Sequence, residues 1–298
     1  MLRQSTKYFN QRLRNLVRSA VATIAFVGIV ATPAISLAKG TFKPPKDEVP
    51  PRTRGTAAGR RDACQTTKAI ASFESGDRFL NLVPLAPDSY LGKTTSRQPT
   101  LTWYVQDCYI NLPLRISLYE YDAAKDKLMP QPLFSKSLTT TPGLMALSLA
   151  GEAVELEPNQ LYAWVAVIES SKQNPSKNAF SRRPIQVVAA SESLTEELAN
   201  ASSSVEKIKL YAQNGFWYDA IATAIEQIEA APANSIESGQ VAATMRSLIS
   251  DLATLEELKE PPLQPDNHRF SHSLRQVLGQ QELDNLDNKA IELVEASQ

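Results

Sequence analysis

Leu156-Glu157-Pro158-Asn159-Gln160-Leu161-Tyr162-Ala163-Trp164-Val165-Ala166-Val167-Ile168 is the stretch on which the reading of the fold turns. From Leu161 to Ile168 it is a short, almost wholly apolar run, rich in β-branched and aromatic residues and preceded by a proline turn. A run of this length and composition reads as a buried, central β-strand rather than as a helix. The segment before it reads as the turn that leads into that strand, with the Tyr162 hydroxyl bonding back to the backbone of the loop. A core tyrosine without that corner role is the alternative.

The flanking sequence repeats the β pattern. Candidate strands are Phe79–Leu85, Thr100–Val105, Leu114–Tyr119, Leu133–Leu138, Leu144–Leu149 and Pro184–Val188. Leu114, Ile116 and Leu118 alternate with Arg115, Ser117 and Tyr119, a period of two that turns one face inward. Pro87, Gly92, Pro99, Pro130, Pro132, Pro142-Gly143 and Pro158 punctuate the runs. About seven short strands with frequent turns predict an antiparallel, immunoglobulin-like β-sandwich over residues 69–190.

After residue 190 the period becomes helical. Ser191 or Ser193 caps a helix that carries Leu194, Leu198, Val205, Ile208 and Tyr211 and stops at Asn214-Gly215. Trp217, Ile221, Ala224, Ile225 and Ile228 mark a second helix that ends before Pro232. A third runs from Ser238 to Leu258 and is ended by Pro261-Pro262. Tyr211, Gly215, Trp217, Ala220, Ala224 and Pro232 have the spacing of a single tetratricopeptide-like hairpin. One such unit cannot bury its faces alone, so it must pack on the third helix or on the sandwich. The expected organisation is a mainly β domain followed by a three-helix segment at 191–260 and a polar, loosely held tail at 261–298.

The beginning of the chain reads as a secretory signal over residues 1–38. Arg3, Lys7, Arg12, Arg14 and Arg18 precede an apolar run from Ala20 to Val30, and Ser36-Leu37-Ala38 closes it with small residues. Cleavage is expected after Ala38. An uncleaved anchor is the alternative, but the Ala, Thr and Pro33 content makes a weak permanent span. Export implies a periplasmic or extracellular protein. Residues 39–68 form a basic Pro/Arg/Gly arm with few large apolar side chains, and such a segment orders itself poorly.

The chain has 31 basic and 32 acidic residues, and the first 38 residues hold five of the basic ones and no acid, leaving −6 after cleavage. Residues 39–190 carry +5 and residues 191–298 carry −11. An acidic segment of that size repels phosphate, which argues against a nucleic-acid partner. Its acids read as solvated helix faces. Cys64 and Cys108 are an even pair in an exported chain and favour one disulfide; two buried free thiols are the alternative.

Several of these segments together resemble a known family. Pro51-Arg52-Thr53-Arg54-Gly55 and Gly59-Arg60-Arg61 precede Cys64, and Leu82-Val83-Pro84 and Pro99-Thr100-Leu101-Thr102-Trp103-Tyr104 follow. Then come Leu156-x-Pro158, Tyr162-x-Trp164 and Gly215-Phe216-Trp217-Tyr218-Asp219-Ala220. In this order they resemble the cyanobacterial family labelled domain of unknown function 928, over roughly residues 50–262. The chain departs from the pattern at Ala57-Ala58, where a proline is expected, and past 262. The resemblance implies an exported cyanobacterial protein with no established activity and no catalytic residues to transfer.

Chemistry-bearing motifs are sparse. His268 and His272 have i, i+4 spacing, but Arg269 stands where a metalloprotease needs Glu, so they read as surface histidines and no metal is expected. Ser204-Val205-Glu206-Lys207 fits Ser-x-x-Lys without its companion motifs. Asp284–Asn288 mimics a calcium loop but has Leu286 where an oxygen ligand belongs. Glycine-rich phosphate loops are absent from the sequence, so no cofactor is expected. Glu120, Asp122, Glu155 and Glu157 are the acids that a carboxylate-based glycan hydrolase would draw on.

The arginines of the arm, Arg54, Arg60 and Arg61, are candidates for binding an anionic envelope polysaccharide or protein, with a solvated linker as the plain alternative. Trp217 and Tyr218 are a candidate partner surface, with hairpin core as the alternative. The expected function is a non-catalytic, exported interaction or scaffold module of the cell envelope, binding a protein or polysaccharide. A carboxylate-based envelope glycan hydrolase is the alternative.

Overall fold

The structure is a computed structural model and describes residues 42–45, 82–105, 111–169, 172–173, 178–232, 235–260, 269–279 and 291–294. Its centre is the quoted run. Leu161–Ile168 (β8) is flanked on one side by Pro113–Asp122 (β4) and on the other by Ala179–Val187 (β9), both antiparallel to it. Tyr162 accepts a hydrogen bond on its hydroxyl from the Glu157 N–H at 2.9 Å, so the corner predicted from the sequence is present.

Two sheets result. One has the order β2(Gly92–Thr94)-β9-β8-β4-β5(Lys127–Leu128), with β6(Phe134–Thr139) also paired to β4. The other has the order β1(Leu82–Pro84)-β3(Thr100–Val105)-β7(Gly143–Ser148)-β10(Ile291–Val294). Trp103 on β3 and Trp164 on β8, both fully buried with ring centroids 6.4 Å apart, join the sheets face to face. The sheets are mixed rather than wholly antiparallel: β2 runs parallel to β9, and β10 parallel to β7.

The remaining strand differences have local causes. β2 and β5 are too short to show a period. The last large strand begins at Ala179, not at Pro184. Proline reads as a strand start because it donates no ladder bond. Here Pro184 sits opposite Ala163 just before the β2 ladder begins at Ile185, where β9 still has an open side.

Five helices follow: α1(Glu192–Asn200), α2(Ser204–Gln213), α3(Trp217–Ala230), α4(Ile236–Glu257) and α5(Phe270–Leu278). The first predicted helix is thus two. Ser203 caps α2 by accepting from the Glu206 N–H, while the Glu206 carboxylate reaches back to the Ser202 N–H at 2.7 Å. This reciprocal arrangement starts a new helix inside a continuous apolar period. Gly215, at φ +82°, makes the turn between α2 and α3, and an added Cβ would stand 3.3 Å from the Lys43 carbonyl oxygen.

The tail expectation is corrected for its described parts. Phe270, Leu274 and Val277 of α5 are buried, α5 packs on α4, and β10 extends the second sheet. These apolar residues fall at helical spacing between polar ones, enough to dock a short amphipathic helix on an existing surface. Residues 39–298 form one unit, and one hydrophobic core runs through both sheets and the helices, so the sheets and the helical segment are not separate bodies. Helix α3 packs on β2 and β3, and α5 touches β1. No helix among the described residues is long and apolar enough to cross a membrane.

Candidate functional site

The segment Trp217-Tyr218-Asp219 opens α3, and each of its side chains holds the helix to a different part of the β region. Trp217 is fully buried, and its Nε1 donates to the Leu85 carbonyl at 2.8 Å. Phe42 meets its ring edge-on at a centroid distance of 4.8 Å. The Tyr218 hydroxyl accepts from Trp164 Nε1 at 2.8 Å and donates to the Pro184 carbonyl at 3.0 Å. Its ring lies against Gly92, where an added Cβ would come within 2.5 Å of Cε2. Burial raises the Tyr218 phenol well above its ordinary range. Trp217 and Tyr218 are therefore interior anchors, and the partner-surface reading of this pair gives way to the core reading.

Asp219 completes the triplet. Its carboxylate accepts from the Thr95 N–H at 3.0 Å and from the Thr95 hydroxyl, closing the turn after β2. Burial pushes its pKa up, while the bonds from Thr95 and Thr94 pull it back.

A second interior polar cluster binds the loop after β1 to the helices. Arg183 on β9 is fully buried. Its Nε donates to the Ala86 carbonyl at 3.0 Å, its Nη1 donates to the Arg182 carbonyl at 2.7 Å, and the same nitrogen stands 3.1 Å from Asp88. The guanidinium carbon lies 4.0 Å from the centroid of the Phe270 ring on α5, within cation–π range. Glu256 on α4, also fully buried, accepts from the Asp88 N–H at 2.8 Å and the Ser89 N–H at 3.0 Å. Burial raises its pKa and these bonds oppose the rise. A buried arginine and a buried glutamate are strong hypotheses for chemistry. Here Glu256 bonds backbone N–H groups, and Arg183 divides its bonds between two carbonyls and Asp88, so both act as fasteners.

Opposite the core, the first sheet presents an outward face. Cross-strand register places Arg115, Val167 and Phe180 side by side, with Ser117, Val165 and Arg182 in the next row and Tyr119 beyond. Arg115 is exposed, and Tyr119, Val167, Phe180 and Arg182 are half-buried. Arg115 pairs with Glu169 at 3.0 Å. Arg182 has no acceptor for its Nε, and burial lowers its pKa. Period-two alternation marks Arg115 and Tyr119 as outward; Phe180 and Arg182 are not marked, because Pro184 reads as the start of their strand.

The other predicted residues scatter. Arg54, Arg60, Arg61, Cys64, Cys108, His268 and the 284–288 segment lie outside the described residues. His272 sits on α5 with its Nε2 2.9 Å from Gln276 Nε2. The Ser204 hydroxyl donates to Gln227 Oε1 at 2.7 Å. Glu155 and Glu157 share Arg97, at 3.4 and 2.8 Å, and Asp122 pairs with Lys125. Among the described residues no three His, Cys, Asp or Glu side chains group as a metal site requires.

No curated protein matches the chain. A solved structure of Astrotactin-2, described as a conserved vertebrate-specific and perforin-like membrane protein involved in neuronal development, is similar at 10% identity. That match covers 72% of this chain and 38% of the other, with a TM-score of 0.21, too slight a likeness to carry an argument. The segments quoted from the sequence run in the order of one family, and residues 56–263, well over half of the chain, match its description: the protein belongs to the family Domain of Unknown Function (DUF928).

Proposed function

We propose that this protein is a non-catalytic interaction module of the cell envelope, exported by the segment 1–38, whose first sheet docks an anionic partner, either an acidic protein or a polysaccharide. The observation that carries the proposal is the outward face of that sheet. It sets Tyr119 and Phe180 on one face with Arg115 and with Arg182, whose Nε has no acceptor. Aromatic residues and arginine are the types enriched where partners bind. An anion seated against Arg182 offsets by its charge the lowering that burial imposes on the guanidinium. The sandwich is read as immunoglobulin-like, supported by the Tyr162 corner, and α2–α3 as one tetratricopeptide-like hairpin, supported by the Gly215 turn and the buried Ala220 and Ala224.

The test is photo-crosslinking from position 180 of the full chain in its native cells, followed by protease or glycosidase digestion of the adduct. A discrete adduct that disappears in Arg182→Ala is expected, and its digestion distinguishes protein from glycan. A protein that gives no adduct, while shortening an envelope polysaccharide and releasing reducing ends, overturns the proposal.

A further inference from the structure

Within the first sheet the two edges are treated differently. The β2 edge is covered by α3 and tied down by Asp219. At the other edge, β6 pairs with β4 alone among the described strands. The bonding phase of β6 follows from its end: the Thr140 N–H donates to the Leu112 carbonyl at 2.8 Å, in line with the β4–β6 register. Antiparallel ladders alternate, so Phe134, Lys136 and Leu138 bond inward to β4, while Ser135, Ser137 and Thr139 turn N–H and C=O groups to the open edge.

Natural proteins guard such an edge with charge, proline or a cover. Phe134–Thr139 contains no proline, and its one charge does not guard it. The Lys136 ammonium is bound by Glu152 at 2.6 Å, with the two side chains only 13% and 17% exposed. Two of the four large exposed apolar residues among those described, Met129 and Leu133, immediately precede the strand.

We propose that the β6 edge is a self-association surface, on which β6 of a second copy pairs antiparallel about a two-fold axis through Ser137. The register is selected by the residues. Only odd-numbered residues offer outward bonds, so the axis can pass through Ser137 or through a neighbouring even position. An axis at Lys136 sets the two lysines opposite each other and shortens the ladder, and an axis at Leu138 also shortens it. An axis at Ser137 uses the whole strand. It places Ser137 opposite Ser137, Ser135 opposite Thr139, and Lys136 opposite Leu138, so hydroxyls meet hydroxyls on the exposed face and no like charges meet. A surface that matches itself in this way is what a two-fold dimer requires.

The test is sedimentation equilibrium of the intact chain over a concentration series reaching about 1 mM. The expected result is a weight-average mass rising toward twice that of the monomer. Ser137→Lys puts like charges on the axis without touching the bonds to β4, and Ser137→Pro removes an outward N–H. Each is expected to weaken association at least about tenfold, the size of a lost strand-edge bond or of a new charge repulsion, with an unchanged circular dichroism spectrum. A wild-type chain that stays monomeric throughout overturns the proposal, and so does one that takes up an added strand peptide while remaining monomeric. A dimer indifferent to Ser137→Lys overturns it as well.

Discussion

Tyr218→Phe is the most telling single perturbation of this fold, because it removes one oxygen and leaves everything else in place. The ring, which fills the space above Gly92, is retained, so apolar burial is unchanged. Two partners of the hydroxyl are stranded: the Trp164 Nε1–H and the Pro184 carbonyl, at a point where both rings are buried. An orphaned buried donor costs about 1–3 kcal/mol, and a carbonyl that loses one bond costs about 1 kcal/mol or less. The expected loss is about 2–4 kcal/mol, a large part of the roughly 5–15 kcal/mol by which a typical protein is stable. Urea unfolding followed by tryptophan fluorescence measures it as a lower midpoint at unchanged slope. Pairing the variant with Trp164→Phe gives a coupling energy, expected at about 1 kcal/mol or more. A loss under about 0.5 kcal/mol, within the range of ordinary surface substitutions, would refute the idea that this hydroxyl fastens α3 to the first sheet.

Three further outcomes are expected. Gly92→Ala forces its methyl into the Tyr218 ring and toward the Pro184 carbonyl oxygen, 3.2 Å away, and should cost about 1–3 kcal/mol of overpacking; the cost should shrink in a Tyr218→Leu background, measured by the same unfolding assay. Tyr162→Phe deprives the Glu157 N–H of its acceptor and should cost about 1–2 kcal/mol without altering the urea slope. Asp219 and Glu256 have pKa values raised above their ordinary 3.8 and 4.5, so the folded chain holds those protons more tightly than the unfolded one. Their stabilisation is complete below the ordinary values and is lost as pH rises through the raised ones. The difference in unfolding midpoint between wild type and Asp219→Asn should therefore shift against wild type as pH rises from about 4, and a shift in its favour contradicts the assignment.

The central strands of the first sheet were legible because burial imposes a pattern on them. Leu114, Ile116 and Leu118 alternate because one face of β4 meets the core, and Leu161–Ile168 is apolar throughout because Ala163 and Val165, on its other face, are buried too. What escaped is structure fixed by partners rather than by pattern. Gly92-Lys93-Thr94 becomes a strand because β9 and Asp219 hold it, and Ile291–Val294 because β7 offers an edge. The split at Ser203 is written in the sequence as Ser-x-x-Glu, but a continuous apolar period hides it. The outward site was half visible: Arg115 and Tyr119 show in the alternation of β4. Phe180 and Arg182 join them only through β9 register, which no local signal specifies.

The acidic excess of the last 108 residues takes on a second meaning in the fold. Most of these acids among the described residues, Glu196 and Glu197 included, are exposed, as solvated helix faces should be. Three of the others reach back to the segment before the helices. Asp219 on α3 accepts from Thr95, Glu256 on α4 accepts from Asp88 and Ser89, and Asp251 on α4 accepts from the Phe42 N–H at 3.4 Å. Each joins a helix carboxylate to a backbone N–H of the segment before the helices. Hydrogen bonds to charged groups contribute more than neutral ones, but burying the charge costs in return. The net gain in stability is therefore small, while the geometric demand is high: a loop that must present its N–H groups to a fixed carboxylate has few other conformations. That is why acids from the helical half can set the shape of the loops beside the sheets, where hydrophobic packing alone would leave them free.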